Sequence, residues 1–538
     1  MAPPSDHHAS EDADDSEPEL LAMDDALEEV GDGMGGDDDG EDVAMDSGDE
    51  AEELLLSNDS IAYFDAHKDS VFAIAQHPTH PTLVATGGSE GDADDAPGKG
   101  YVIDTAAAVE SRRPLLPASY SSDPAAAAAA ARSSTALQPL FAIEGHTDSI
   151  NALAFTLPDG AFLLSGGLDG RMRAYGVSIK SSGVDFRFVG EAQEVPEINW
   201  LAPCPAGRAH PNTVALGASD GSVWVYTIDP AGDPANPLQI VQSYFLHQGA
   251  CTAGAWTPDG QLLATVSEDG SLHVWDVWGA AAAAANARTT DNGQTVVSLT
   301  TADQRFAVEG GLFSVAVSPG GGVVAVGGAG GVIKVVGLPR LTVEGSRPPS
   351  TAAARGGRPT GGEAATQAGA ILASLQVQSD GVETLSFAPP PLTLLAAGSV
   401  DGSVAVYDAG RSFAVRRHIA GAHDEFSVVK VEWVRSPPPA ATAASNNGSG
   451  GASGAAGGPA QWLLTSCGMD GVVRRWDLRG ATTTQKNVTG GAATGLVKEW
   501  RGHRGDGEGG GVLGFVQGET GERIVTAGDD GVVLVFEA

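Results

Sequence analysis

Short segments in which apolar and polar residues alternate recur along the chain from Ser60 to its end, and turns rich in Gly and Asp separate them. The clearest unit spans residues 247–276. It contains a strand beginning near Cys251, a Thr-Pro-Asp-Gly turn, the apolar run Leu262–Ser267, a Glu-Asp-Gly turn and the run Leu272–Asp276. A two-residue period between such turns predicts short β-strands connected as hairpins.

This unit occurs eight times. Six copies carry an Asp-Gly turn, whereas Gly330-Gly331 and an expanded turn opening at Asp92 mark the other two. The six turns begin at Asp169, Asp220, Asp269, Asp401, Asp470 and Asp530. The third strand of a unit ends in an aromatic residue at Tyr175, Tyr226, Trp275, Tyr407, Trp476 and Phe536. Eight such repeats predict an all-β propeller of eight blades over residues 57–538.

Four units begin with a Gly-His or Ala-His pair, and together with the turns these pairs resemble the WD-repeat signature over residues 60–538. The resemblance implies that the His and the turn Asp form hydrogen bonds across the blade with a hydroxyl and the Trp. Accordingly, we expect a structural role, and no metal or catalytic role, for His67, His146, His423, His503, Asp169, Asp269 and Asp470. The fifth unit lacks both residue types, which predicts a weaker network there.

The two ends of the predicted propeller fit one blade. The strand at residues 60–64 precedes the first Ala-His pair, and residues 531–536 form a last third strand with no successor. Pairing them would remove an exposed edge and close the ring. We therefore expect the N-terminal strand to be the outer strand of the last blade.

Charge divides the chain into two parts. The net charge is −39, and residues 1–53 carry 22 acidic residues and no basic one. Low hydrophobicity and high charge predict a disordered arm over residues 1–56. Within it, residues 19–30 form either a transient helix or a helix that docks on, or shields, a basic partner. The remainder has 47 acidic and 30 basic residues, which disfavours a nucleic-acid ligand and favours a basic protein or peptide.

Five segments rich in Ala, Gly, Ser and Pro interrupt the repeats and are predicted to be disordered loop insertions. They span residues 91–99, 105–135, 279–296, 343–368 and 438–459.

Motif searches indicate a protein without catalytic activity. The three cysteines, Cys204, Cys251 and Cys467, lie far apart, which argues against a disulfide framework or a Cys-rich zinc site. No GxSxG, HExxH or Walker motif occurs. No apolar run spans a bilayer, and no Lys or Arg precedes Lys68, so neither a membrane span nor a secretory signal is expected. These observations predict a monomeric cytoplasmic protein with no cofactor, metal, membrane or direct nucleic-acid contact.

In a WD-repeat ring, the residue before the turn Asp and the start of the innermost strand face a ligand on the narrow top face. These positions point to acidic residues at Glu90, Glu197, Glu268, Glu383, Asp424, Glu425 and Asp529, with Phe72 and Phe426 beside them. Two explanations stay open: an acidic protein displays acids over its whole surface, or the rim focuses its field on an Arg-rich ligand. Aromatic rings at the rim would stack on Arg or Tyr side chains.

The segment at residues 58–72 (NDSIAYFDAHKDSVF), the acidic arm and residues 194–200 (EVPEINW) resemble the family of angio-associated migratory cell protein. The fungal branch of that family implies a dedicated cytoplasmic chaperone that captures the basic N-terminal segment of a nascent large-subunit ribosomal protein of the L-ten (bacterial L-sixteen) type and supports its delivery to the pre-ribosome. Carried over by position, Glu383 and Asp529 rank first, with Glu197, Glu268 and Asp424 behind them. The animal branch implies the alternative of a WD-repeat scaffold in signalling. A histone-binding propeller would also suit an acidic face.

Overall fold

The structure, a computed structural model, describes residues 58–91, 96–110, 135–181, 183–283, 294–339, 341, 368–435, 462–480, 495–504 and 510–538. The predicted arm at residues 1–56, with its helix at residues 19–30, lies outside these residues. So does the predicted loop at residues 438–459. The described residues form eight β-sheets, seven with four strands and one with five, which confirms the eight-bladed propeller.

The first strand, Ala62–Phe64 (β1), belongs to the last blade, and the following strands build blades 1 to 4 in chain order. Blade 1 comprises Ala73–Gln76 (β2), Leu83–Ser89 (β3), Gly98–Asp104 (β4) and Pro139–Ile143 (β6), and Thr135–Ala136 (β5) joins β1. Blade 2 comprises Ile150–Phe155 (β7), Phe162–Gly167 (β8), Met172–Lys180 (β9) and Gly183–Ala192 (β10). Blade 3 comprises Ile198–Pro203 (β11), Thr213–Ala218 (β12), Val223–Ile228 (β13) and Leu238–Tyr244 (β14). Blade 4 comprises Cys251–Trp256 (β15), Leu262–Ser267 (β16), Leu272–Asp276 (β17) and Thr295–Leu299 (β18).

Blades 5 to 8 repeat this order from the inner to the outer strand. Blade 5 comprises Leu312–Val317 (β19), Val323–Gly328 (β20), Val332–Gly337 (β21) and Ile371–Gln376 (β22). Blade 6 comprises Val382–Phe387 (β23), Leu394–Ser399 (β24), Val404–Asp408 (β25) and Ala414–Ile419 (β26). Blade 7 comprises Val428–Trp433 (β27), Leu463–Gly468 (β28), Val473–Asp477 (β29) and Leu496–Trp500 (β30). Blade 8 comprises Val512–Val516 (β31), Arg523–Gly528 (β32) and Val533–Glu537 (β33), followed by β1 and β5.

The N-terminal strand closes the ring, as the sequence predicts. Strand β1 pairs antiparallel with β33, with Ala62 opposite Val535. Strand β5 then pairs in parallel with β1 on its other edge, which the sequence did not indicate. Both edges of β1 are therefore hydrogen-bonded, and blade 8 is the five-stranded sheet.

The core lies between blades. Each inner strand contacts the inner strand of the next blade, and β31 contacts β2, so the contacts run round a closed ring. Eight clusters of buried apolar residues each combine side chains from two successive blades. Second strands such as β16 and β24 are buried along their whole length because a neighbouring blade covers each face. This explains why their sequences, LLATVS and LLAAGS, contain no charged residue and only small polar ones.

Three predicted loop insertions are wrong at their ends. Gly98 and Lys99 lie in β4, Thr135 lies in β5, and Thr295 and Val296 lie in β18. Each of these residues extends an adjacent strand, and composition alone places such a boundary poorly. Two one-turn helices, Ala107–Glu110 (α1) and Ala280–Ala283 (α2), also fall in these insertions. The predicted loop at residues 343–368 lies outside the described residues apart from residue 368.

A single 3-10 turn spans Ala409–Arg411, whereas the turn Ala329–Gly331 contains two glycines with positive φ, Gly330 at 62° and Gly331 at 74°. Within the described ranges, no helix is both long and apolar enough to cross a lipid bilayer.

Candidate functional site

A β-bulge marks the start of the inner strand in seven blades. In β7, for example, the pairing shifts between Ile150 and Ala152, so that Asn151 has no partner in β8. A bulge re-aims one side chain out of the regular alternation. The bulged residues are Asn151, Asn199, Thr252, Phe313, Glu383, Val429 and Leu513. Phe72 holds the same place directly before β2 in blade 1.

The bulge lies beside the turn that joins the second and third strands. In blade 2, the N–H of Leu168, which precedes the turn Asp, donates to the carbonyl of Ser149 at 2.9 Å. The same bond occurs in blade 8, from Asp529 to Gly511, and in blade 4, from Glu268 to Ala250. The end of the ring at which the inner strands start and these turns lie is the top face. Three residues of each blade thus meet there. They are the residue before the turn (the pre-turn residue), the residue that accepts its hydrogen bond just before the inner strand (the pre-strand residue) and the inner residue, which is bulged in seven blades and is Phe72 in blade 1.

Four of the predicted acids occupy these repeated positions, in four different blades. Glu383 is the bulged residue of blade 6, and Glu268 and Asp529 precede the turns of blades 4 and 8. Glu197 is the pre-strand residue of blade 3, where its carbonyl accepts from the N–H of Ser219 at 3.2 Å. Glu197, Glu268 and Glu383 are exposed, and Asp529 is half-buried.

Glu383 lies beside apolar groups. A Cβ atom added to Gly381 would lie 3.4 Å from Oε1 of Glu383, 3.6 Å from Val400 and 3.9 Å from the ring of Phe313. Although Glu383 is exposed, the surrounding groups remove part of the water around its carboxylate, which raises the pKa of Glu383, and the nearby Asp380 carboxylate raises it further. A cation at this position would relieve both effects by stabilising the charged form.

Asp529 joins the last blade to the first. The hydroxyl of Ser70 donates to its Oδ1 at 2.6 Å and lies 3.2 Å from its carbonyl oxygen. No described residue forms a hydrogen bond or an ion pair with the second carboxylate oxygen. Asp529 therefore keeps one oxygen for a ligand at the seam of the ring.

Glu90 is a correction to the predicted top-face set. The N–H of Ser89 bonds the carbonyl of Ser70, so Ser89 is the pre-turn residue of blade 1 and Glu90 replaces the turn Asp. The ammonium group of Lys68 lies 2.7 Å from Glu90, and that of Lys99 lies 3.8 Å away. These two lysines already neutralise the carboxylate, so it is a poor site for a cationic ligand. The insertion after Glu90 displaces the usual turn, which is why the sequence misplaced it.

Asp424, Glu425 and Phe426 lie in the loop before β27. Asp424 and Glu425 are exposed, whereas Phe426 is half-buried and its N–H bonds the carbonyl of His423. The backbone of Asp424 is left-handed, with φ of 54°, a conformation that Asp tolerates better than most residues. The guanidinium of Arg474 lies 3.9 Å from the Asp424 carboxylate, so part of its charge is already compensated.

Apolar residues share the top face with the acids. Phe72, which is 40% exposed, Phe313, Val429 and Leu513 occupy the inner position in blades 1, 5, 7 and 8. Sequence reasoning found Phe72 but missed Phe313, because the fifth unit lacks the His from which the inner strand is counted. The signal that finds Phe313 is its place one residue after the buried Leu312, where alternation begins.

The predicted structural histidines are buried and bonded within their blades. His146 lies 3.1 Å from Asp169 and 2.8 Å from the Ser165 hydroxyl. Burial acts to raise the pKa of Asp169, but the hydrogen bond to His146 and two backbone N–H groups lower it overall. His503 repeats the pattern with Asp530 at 3.0 Å.

Blade 7 shows the whole network. His423 lies 2.9 Å from Asp470 and 2.7 Å from the Ser466 hydroxyl, to which the Trp476 indole donates at 2.8 Å. By contrast, His67 of blade 1 bonds Thr86 at 2.9 Å and has no turn Asp as a partner in the described residues.

Asp269 also lies in the network of its blade, but no imidazole bonds it directly. In blade 4, Nδ1 of His247 lies 2.6 Å from the Ser271 hydroxyl, and Nε2 lies 2.8 Å from that of Thr265. The Asp269 carboxylate instead accepts from the N–H groups of Gln248 and Ser271. His247 was missed because a Leu, and neither Gly nor Ala, precedes it.

Cys204, Cys251 and Cys467 are all buried free thiols. Burial raises the pKa of the Cys204 thiol to about 11, which makes its reactive thiolate scarce at neutral pH. Within the residues that the structure describes, no group of three or more His, Cys, Asp or Glu side chains is arranged to hold a metal ion.

Comparison with protein families and curated proteins gives concordant matches. The family model described as "WD domain, G-beta repeat" matches residues 137–175 and 238–276. The ribosome assembly protein SQT1 of Saccharomyces cerevisiae is 31% identical over 249 residues, which are 45% of this chain and 47% of that protein. The chain thus aligns with about half the length of this relative. Human angio-associated migratory cell protein is 23% identical over 399 residues, 74% of this chain and 69% of that protein.

A solved structure matches far more closely. The crystal structure of Chaetomium thermophilum Sqt1 bound to the N-terminus of the ribosomal protein L10 shares 61% sequence identity with this chain. The match covers 90% of this chain and 100% of that one, with a TM-score of 0.71.

Proposed function

This chain belongs to the Sqt1 family of WD-repeat propellers, and on that basis we propose that it is a dedicated chaperone of ribosomal protein L10. It captures the basic N-terminal segment of the nascent ribosomal protein on its acidic top face and supports delivery of that protein to the pre-ribosome. The proposal includes a cytoplasmic site of action and no catalytic step.

One observation carries the proposal: acids from four blades converge at structurally repeated positions of one face. Glu383, Asp529, Glu197 and Glu268 all lie where inner strands start or just before the turns. Acidic groups that converge on one rim produce a negative potential there and attract a basic segment.

The chemistry of these groups suits arginine. A guanidinium donates two parallel hydrogen bonds to one carboxylate, which gives direction as well as charge. Phe72 and Phe313, at the inner positions of blades 1 and 5, supply ring faces on which a guanidinium or a tyrosine of the client can stack.

The alternative of a signalling scaffold is less favoured. The human relative is 23% identical to this chain, whereas the Sqt1 structure is 61% identical over its whole length. A scaffold that docks a folded partner would also have no particular need for single-sign charge at the ring entrance.

The test is a titration of the full-length protein with a labelled peptide of the L10 N-terminus at two salt concentrations. We expect Glu383→Lys and Asp529→Lys each to weaken binding by about tenfold or more, since each replaces an attractive charge by a repulsive one. Binding should also weaken with salt. Glu519→Lys is the matched control, because this exposed acid of blade 8 follows β31 at the opposite face. The proposal would be wrong if all three variants changed the affinity for the peptide equally, or if the unaltered protein did not bind it.

A further inference from the structure

Blade 4 carries a solvent-open cavity on the top face, at a position that an arginine side chain occupies in blades 2 and 7. Its volume is about 530 Å³, and its lining includes Asp269, Ser271, His273, Ser298, Thr300 and Thr301. The lining is rich in hydroxyl groups, and its one charged group is the turn carboxylate. This polarity is that of a site for a hydrogen-bond donor.

The strand register defines the equivalent position in other blades. His273 pairs across the sheet with Thr265, the hydroxyl that bonds the blade histidine. In blade 7 the residue opposite the corresponding Ser466 is Arg474. In blade 2 the residue opposite Ser165 is Arg173.

In blades 2 and 7 that arginine is held by acids of the same blade. Arg474 forms ion pairs with the turn Asp470 and, at 3.5 Å, with Glu499, its cross-strand neighbour. Arg173 likewise pairs with its cross-strand neighbour Glu191. A guanidinium therefore fills this part of the blade in both cases.

Blade 4 has hydrogen-bond acceptors at this position but no arginine of its own. Ser298 stands opposite His273, where blades 2 and 7 have a glutamate. Against the effect of burial, hydrogen bonds from Gln248 and Ser271 lower the pKa of Asp269, so its carboxylate is charged at neutral pH. Within the described residues, no Lys or Arg side chain forms an ion pair with Asp269.

One group in the lining is buried and lacks a hydrogen-bond partner among the described residues. His273 is 3% exposed, and its Nδ1 is buried without a hydrogen-bond partner in the described residues. A buried polar atom of this kind costs about 1–3 kcal/mol. Burial lowers the pKa of His273 to about 4, so at neutral pH the ring is uncharged and has one nitrogen free to accept a hydrogen bond.

We propose that the blade 4 cavity binds the guanidinium group of an arginine side chain that comes from the bound client. The guanidinium donates to Asp269, to the hydroxyls of Ser298 and Thr300, and to the imidazole of His273. It thereby takes the place that Arg474 and Arg173 hold in their own blades. The source of the arginine rests on the proposed chaperone function, whereas the cavity and its chemistry do not.

Two probes test the cavity itself: acetyl-arginine amide and acetyl-citrulline amide, which has a similar shape and no charge. The readout is the set of histidine ring signals in NMR spectra of full-length, histidine-labelled protein. We expect the arginine probe to shift the signals of His273 and of His247, whose ring centre is 4.7 Å away, in a saturable manner. The citrulline probe should leave them unchanged. An arginine probe without a saturable effect on these signals would overturn the inference.

A variant that fills the cavity from within extends the test to the client. His273→Arg imitates blades 2 and 7, so it should abolish the shift of the His247 signal by the arginine probe. It should also weaken binding of the L10 N-terminal peptide about tenfold, the loss expected for one charge-assisted contact. His80→Arg is the control, since it adds the same charge at an exposed site in the loop between β2 and β3.

The two proposals fail separately. If the peptide binds and neither His273→Arg nor the arginine probe has any effect, the cavity inference is wrong and the chaperone stands. If the peptide does not bind while the arginine probe still shifts His273, the cavity stands and the chaperone proposal is wrong.

Discussion

Blades 4 and 7 are built on the same plan but differ in how they use charge. Both contain a buried histidine, a hydroxyl and a tryptophan joined by hydrogen bonds of 2.8 Å or less. In blade 7 the turn acid is paired with His423 and Arg474, whereas in blade 4 the turn acid is hydrogen-bonded by Gln248 and Ser271 and has no cationic partner among the described residues. The turn carboxylate of blade 7 is thus paired with a cation inside its own blade, whereas that of blade 4 remains available to a cationic ligand.

Removing the cation of blade 7 should have the largest effect. Arg474→Met leaves the buried Asp470 carboxylate without its guanidinium, which we expect to lower the free energy of unfolding by about 4 kcal/mol. The equivalent change in blade 4, His273→Leu, removes an imidazole whose Nδ1 has no partner in the described residues, so it should stay within about 1 kcal/mol of the unaltered protein. Urea denaturation measures both. Equal losses would show that the two blades do not differ in this way.

Lowering the pH should reduce the stability of the protein through His273, and His273→Leu should remove this part of the loss. Burial lowers the pKa of His273 from 6.5 to about 4. Between these two pH values the imidazole is therefore protonated in the unfolded chain and neutral in the folded protein. The stability due to the neutral ring is complete above pH 6.5 and is lost as the pH falls toward 4. When the pH is lowered from 7 to 5, the leucine variant should lose about 2 kcal/mol less stability than the unaltered protein. Parallel curves of stability against pH for the two proteins would contradict this.

Introducing the Arg474–Glu499 pair of blade 7 into blade 4 should have the smallest effect on stability. His273→Arg combined with Ser298→Glu gives blade 4 the cross-strand pair of blade 7, which we expect to raise the free energy of unfolding by about 0.5–1 kcal/mol. Thermal unfolding followed by circular dichroism measures the change. A clear loss of stability would mean that the cavity cannot accommodate a guanidinium.

The sequence was sufficient for those features that short-range patterns determine. The eight turns and the two terminal strands predicted the blade number and the closure of the ring, because turn chemistry and period-two alternation are local. Glu383, Asp529, Glu197 and Glu268 were placed by counting from these signals, and the structure puts them at the repeated positions of one face.

What the sequence missed depends on register and on distant segments. Glu90 was misplaced because the insertion after it conceals which residue bonds Ser70, and strand β5 was missed because its partner β1 lies far away in the sequence. The difference between blades 4 and 7 was invisible for a similar reason. It depends on cross-strand neighbours, His273 with Ser298 and Arg474 with Glu499, that only strand pairing identifies.

The central claim is that the top-face carboxylates contact the basic segment of L10, and a double-mutant cycle tests it most directly. Binding of the L10 N-terminal peptide would be measured for the full-length protein and for Glu383→Gln, with each peptide arginine replaced in turn by citrulline. We predict a coupling free energy above about 1 kcal/mol between Glu383 and at least one arginine, and none with the control Glu519→Gln. Coupling near zero between Glu383 and every arginine, with the peptide still bound, would contradict the account.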